Sequence, residues 1–126
     1  MKRFPRPFAA ASLLCSLAAV GTARAASVDA ARMMALARSS GCLACHALHR
    51  TKVAPSYAAI AQRFQGRADA VQTLQSAILN GHSGTWGIVP MPSYGGAQGL
   101  LTPAQAQDLA RWVLSTAQPG DAAARP

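Results

Sequence analysis

The sequence predicts an all-α domain of about four helices wrapped around a prosthetic group. Three observations lead there. Apolar residues recur three and four apart in several stretches bounded by helix caps and stops. No stretch alternates in the manner of a strand. The run Cys42-Leu43-Ala44-Cys45-His46 sets two thiols and an imidazole at the spacing of covalent haem attachment. Each thiol can add across one vinyl group of the porphyrin, while the ring of His46 stands up from the following turn to meet the iron.

At the N-terminus, Lys2, Arg3 and Arg6 precede an uncharged, mostly apolar run over residues 8–20, followed by Ala23-Arg24-Ala25. This is the pattern of a secretory signal peptide over residues 1–25, with cleavage after Ala25. The run is shorter than the roughly 18 apolar residues that a membrane span requires, and no later segment is long and uncharged enough. The mature chain is therefore expected to be soluble, without a transmembrane span, and periplasmic. Covalent haem is attached beyond the cytoplasmic membrane, so the export signal and the attachment motif predict each other.

Cys15 lies inside the signal and leaves with it. Bulky Leu14 before it argues against lipid attachment. Cys42 and Cys45 are then the only mature cysteines, which excludes a disulfide scaffold. Four of the twelve basic residues, Lys2, Arg3, Arg6 and Arg24, also leave, while Asp29, Asp69, Asp108 and Asp121 stay, so the formal charge falls from +8 to +4. The basic balance is partly a property of the signal and does not imply nucleic-acid binding. A mildly basic surface suits redox protein partners with acidic faces.

The first helix is expected over residues 29–40, with Met33, Met34, Leu36 and Ala37 available for a buried face and Gly41 as its stop. Residues 48–55 lack periodicity and read as loop. Ser56 can cap a short helix through Phe64, on which Tyr57, Ile60 and Phe64 share a face, and Gly66 closes it. Ala68 or Asp69 opens a third helix with Val71, Leu74, Ala77 and Ile78 on one side, ending at Asn80-Gly81. Residues 81–99 hold six glycines and two prolines and read as a long irregular segment, the kind that usually carries function. Thr102 as N-cap and Pro103 at the first helical position open the last helix, with Leu109, Trp112 and Val113 on one face. The domain is expected over residues 26–118, followed by a flexible tail over 119–126.

One imidazole leaves an axial position on the iron. Met91, flanked as Pro90-Met91-Pro92, is the leading candidate, because the prolines stiffen the backbone around an inward-pointing thioether; its other role would be core packing. A soft thioether favours ferrous iron and raises the reduction potential relative to two nitrogen ligands. His49 follows His46 too closely to reach the opposite face, whereas His82 opens the loop that carries Met91 and is the alternative ligand.

Taken together, these features resemble the small bacterial class I cytochromes c, single-haem electron carriers. The likeness rests on Gly41 before the attachment motif, on Val53-Ala54-Pro55-Ser56-Tyr57, on the stretch from Asn80-Gly81 to Trp86-Gly87, on Val89-Pro90-Met91-Pro92, and on Leu109-Ala110-Arg111-Trp112-Val113-Leu114. The resemblance implies the class I cytochrome c fold and one haem c, held covalently by Cys42 and Cys45. It implies His46 as proximal and Met91 as distal iron ligand. It also implies that the Pro55 carbonyl receives the other ring N–H of His46, that the Trp86 indole donates to a haem propionate, and that Tyr57 packs on the haem.

Two departures stand out. Ala37 occupies the place where the family commonly carries an aromatic packed on the last helix, so Met33 or Met34 is expected to meet Trp112 instead. Residues 93–101, with Gly95, Gly96 and Gly99, form a longer connection than usual.

With both axial positions filled, the iron can only pass single electrons, between a donor and an acceptor that the sequence does not identify. The chain contains no glutamate, and its four aspartates are scattered, so no catalytic constellation is visible and no enzyme is expected. Competing readings are a thiol redox centre, which lacks the strands it would need; structural zinc on Cys42, Cys45, His46 and His82 or His49, at an unusual ligand spacing; and a haem protein with a labile Met91 that senses gas or reacts with peroxide. As a carrier, the domain would be either a free monomer or the electron-accepting subunit of a periplasmic dehydrogenase.

Overall fold

The computed structural model describes residues 21–117. Most of the expected signal, and the tail over 119–126, lie outside the described residues. Four α-helices carry the fold: α1 (Gly21–Ser39), α2 (Tyr57–Phe64), α3 (Ala70–Asn80) and α4 (Pro103–Ser115). Among the described residues there is no strand, only a single bridge between His82 and Met91.

Helix α1 starts earlier than the amphipathic face suggested. Residues 22–28 hold neither glycine nor proline and include three alanines, so helix propensity extends the helix upstream of residue 29. It stops as expected at Gly41, whose φ of 81° is left-handed and whose amide reaches Arg38 O at 3.1 Å. The attachment motif follows at once as a 3-10 turn over Cys42–Ala44.

The caps act where the sequence placed them. Ser56 Oγ accepts from the amide of Ala59 at 3.1 Å, and Thr102 with Gln105 forms a reciprocal capping box at 3.2 and 2.9 Å. Asp69 differs: it occupies the N-cap position of α3 without a capping bond. Its carboxylate is taken by the Arg67 guanidinium at 3.0 and 2.7 Å and by Thr73 Oγ1 at 3.3 Å, partners strong enough to draw it from the backbone amides.

Helix α4 is the hub against which α1, α2 and α3 all pack. Small residues allow the close approach, since Ala37, Ala106 and Ala110 are fully buried. Met33, Ala37, Leu101 and Leu109 form the central cluster, with Trp112 and Tyr94 partly buried against it. Of the two methionines offered as substitutes for an aromatic at position 37, Met33 is buried in the cluster on which Trp112 packs, whereas Met34 is half-buried.

The long connection after Met91 is not loose. The amides of Tyr94 and Gly95 reach the carbonyls of Ile78 and Leu79, each at 3.0 Å, and Leu101 N reaches Tyr94 O at 2.9 Å. Carbonyls in the last turn of α3, which lack helical partners of their own, are satisfied in this way. A 3-10 turn over Gly96–Gln98 takes up the extra length, and Leu101 is buried at its far end.

Candidate haem site

Between α2, α3, the attachment turn and the 81–93 loop lies a cavity of about 430 Å³, within the roughly 300–1,000 Å³ range of ligand and cofactor sites. Cys42, Cys45 and His46 line it from the attachment side, Ile60 and Phe64 from α2, Leu74 and Ala77 from α3, and Trp86 and Met91 from the loop. A smaller apolar pocket of about 70 Å³ also touches both His46 and Met91. Pro55, too, lies on the cavity wall.

His46 is the buried polar group of the site. Its Nδ1 donates to the carbonyl of Pro55 at 2.7 Å, which in the neutral ring leaves Nε2 as the nitrogen with the lone pair. Burial lowers the pKa of the imidazole, outweighing the Pro55 bond that raises it. The neutral form that a metal accepts is therefore favoured. Tyr57 stacks on the His46 ring with centroids 5.3 Å apart and planes 15° from parallel, and Trp112 meets Tyr57 edge-on at 5.2 Å. An aromatic ladder thus runs from the attachment motif to α4.

Both cysteines are free and half-buried. Burial raises the Cys42 thiol, and the buried Tyr57 hydroxyl beside it is also raised. Tyr94, on the cavity wall, is raised chiefly by burial as well.

Met91 is fixed through its backbone: Met91 N reaches His82 O at 2.7 Å, and His82 N reaches Met91 O at 3.1 Å. His82 itself is exposed, and its Nε2 lies 2.5 Å from Thr85 Oγ1. His49 is exposed and does not line the cavity. Trp86 is 40% exposed at the cavity mouth, under the Arg63 guanidinium, whose carbon stands 4.9 Å from the ring centroid.

The structure thus brings Cys42, Cys45, His46, Pro55, Trp86 and Met91 around one cavity. Sequence reasoning did not single out Arg63 or Tyr94 as parts of its wall. Arg63 carried one signal, a basic residue next to Phe64 in the last turn of an amphipathic helix. Tyr94 carried none, because its position depends on the folded-back connection.

The donor set fits a covalently attached haem: two unpaired thiols and a neutral, oriented imidazole on one wall, a thioether on the loop, and apolar side chains between. Among the described residues no three His, Cys, Asp or Glu side chains converge to hold a bare metal ion, which removes the basis for the zinc reading.

Known proteins agree. The profile of the family Cytochrome c matches residues 30–117. Cytochrome c-552 of Hydrogenobacter thermophilus is 48% identical over 80 residues, 64% of this chain and 76% of that one. Cytochrome c-551 of Pseudomonas aeruginosa is 40% identical over 102 residues, 81% of this chain and 93% of that one. The crystal structure of Nitrosomonas europaea cytochrome c552 superposes with a TM-score of 0.60 at 34% identity, covering 66% of this chain and 98% of that one. The chain belongs to the cytochrome c family as a small class I monohaem member, an electron-transfer protein rather than an enzyme, with one covalently attached haem c.

Proposed function

We propose that this chain is an exported, periplasmic electron carrier in which His46 and Met91 would ligate the haem iron and Cys42 and Cys45 would fix the porphyrin. The observation that carries the reading is the pair of supports around one cavity. His46 is held through Nδ1 by Pro55 at 2.7 Å, and Met91 is held through both backbone bonds by His82.

When bound, the haem supplies the one-electron ferric/ferrous couple. His46 offers Nε2 in a fixed tautomer and ring plane, because the Pro55 carbonyl occupies its other nitrogen. Met91 offers a soft sulfur that favours the reduced state. With both as ligands, the iron would have no position free for substrate or oxygen. Apolar Ile60, Leu74 and Ala77 keep water from the wall of the site, while Trp86 at the mouth would donate its indole N–H to a propionate.

On this reading the expected signal over residues 1–25 is removed after Ala25, the domain spans 26–118, and the mature carrier meets redox proteins on its basic surface. Among the described residues no helix is long and apolar enough to cross a membrane.

The test is the visible spectrum of the mature, oxidised chain, made in an export-competent host with haem-attachment machinery. The weak long-wavelength band of methionine sulfur on ferric iron is expected, and Met91→Ala should remove it. Attached haem without that band would overturn Met91 ligation. N-terminal sequencing of the same material checks the cleavage site.

A further inference from the structure

The loop side of the cavity holds two residues with iron-binding side chains in one register. His82 and Met91 exchange both backbone hydrogen bonds, at 3.1 and 2.7 Å, as a directly opposed antiparallel pair. Residues opposed in this way send their side chains to the same face, with Cβ atoms roughly 4.5–5.5 Å apart. Both residues line the cavity. They are held differently, however. Met91 is partly buried, whereas the His82 ring is exposed and is tethered through Nε2 to Thr85 Oγ1 at 2.5 Å. Water can replace an exposed bond of that kind at little net cost.

No other side chain is placed to do the same. Exposed His49 lies off the cavity wall, and so does Lys52, whose ammonium donates to the Leu43 carbonyl at 2.6 Å. Tyr94 lines the cavity, but burial keeps its hydroxyl protonated.

We propose that His82 is a reserve ligand to the haem iron: when the Met91 sulfur lets go, the His82 imidazole leaves Thr85 and takes the same axial position. The proposal rests on Met91 as the resting ligand. An iron–sulfur bond breaks and an iron–nitrogen bond forms from the imidazole lone pair, so the exchange needs neither oxidant nor reductant. Two nitrogen ligands lower the reduction potential relative to nitrogen with sulfur, and the iron stays closed to oxygen and peroxide. Loss of the sulfur thus weakens the carrier as an electron acceptor without exposing a reactive iron.

The test uses the haem-loaded, oxidised chain at one neutral pH, read by visible spectra and electron paramagnetic resonance. Met91→Ala should be low-spin with the signature of two imidazoles. Adding His82→Gln should convert it to high-spin, while adding His49→Gln should leave it low-spin. A high-spin Met91→Ala protein overturns the proposal, and so does a low-spin Met91→Ala/His82→Gln protein. A second measurement keeps Met91 and so does not depend on the folding of Met91→Ala. On warming below the unfolding transition, the methionine band of the unmutated chain should fade while the iron stays low-spin, and in His82→Gln the same fading should give high-spin iron. Identical behaviour of these two chains overturns the proposal. Failure of Met91 ligation itself would appear separately, as a band missing from the unmutated chain before warming.

Discussion

His82 and Met91 exchange both backbone hydrogen bonds, at 3.1 and 2.7 Å, and so close the base of the loop that presents the thioether. Gly81 stands directly behind this bridge with φ of 79°, and a Cβ there would meet Met91 O at 2.8 Å. Only glycine satisfies both conditions. Gly81→Ala should cost about 1–3 kcal/mol and weaken the methionine–iron band, read by thermal melts and oxidised spectra of the same sample. A variant with full stability and an undiminished band would contradict the role given to the bridge.

Tyr57 joins the attachment turn to α4 through the His46 stack and the Trp112 edge contact. Tyr57→Phe keeps both ring contacts and should lose less than about 1.5 kcal/mol, the scale of one hydrogen bond. Tyr57→Ala removes them and should lose about 3–5 kcal/mol. Denaturant melts of the haem-loaded proteins separate the two, and equal losses would show that the hydroxyl, not the ring, is what matters.

The protein core is thin without its cofactor. No large side chain among the described residues is fully buried, and a cavity of about 430 Å³ separates α2 and α3 from the 81–93 loop. Replacing Cys42 and Cys45 together by serine should therefore leave a chain with much reduced helicity by circular dichroism. Native helicity in the haem-free double variant would show that α1 and α4 suffice to order the rest.

Asp69 gives an acid-side prediction. Hydrogen bonds from Arg67 hold its carboxyl below the ordinary 3.8. A carboxyl depressed in the folded state adds stability above its unfolded pKa, and that contribution disappears as the pH falls through the folded value. Asp69→Asn should therefore lower the melting temperature near neutral pH, and the difference from the parent should close below about pH 4. A difference that persists unchanged at lower pH would point to helix geometry instead of charge.

Much of this was legible in the chain because the signals are local. Ser56, Thr102, Pro103 and Gly41 act on their immediate neighbours, so α2, α4 and the end of α1 follow from sequence. Cys42, Cys45 and His46 are gathered by a single turn. The Arg63–Trp86 contact and the seat of Tyr94 on the end of α3 were not legible, because each joins segments that only folding brings together. Asp69 opens α3 as expected, yet its side chain makes no capping bond, because Arg67 two residues before it is the stronger partner.

The two faces of the haem site are braced by different stretches of backbone. Pro55 and Tyr57 secure the imidazole side, whereas the sulfur side hangs from the end of α3 through His82, Tyr94 and Gly95. Under the proposed ligation, insertions or replacements in residues 93–101 can retune the sulfur without disturbing the thiol attachments. The molecule is therefore built so that its electron affinity can diverge in one loop while the assembly of its cofactor stays the same.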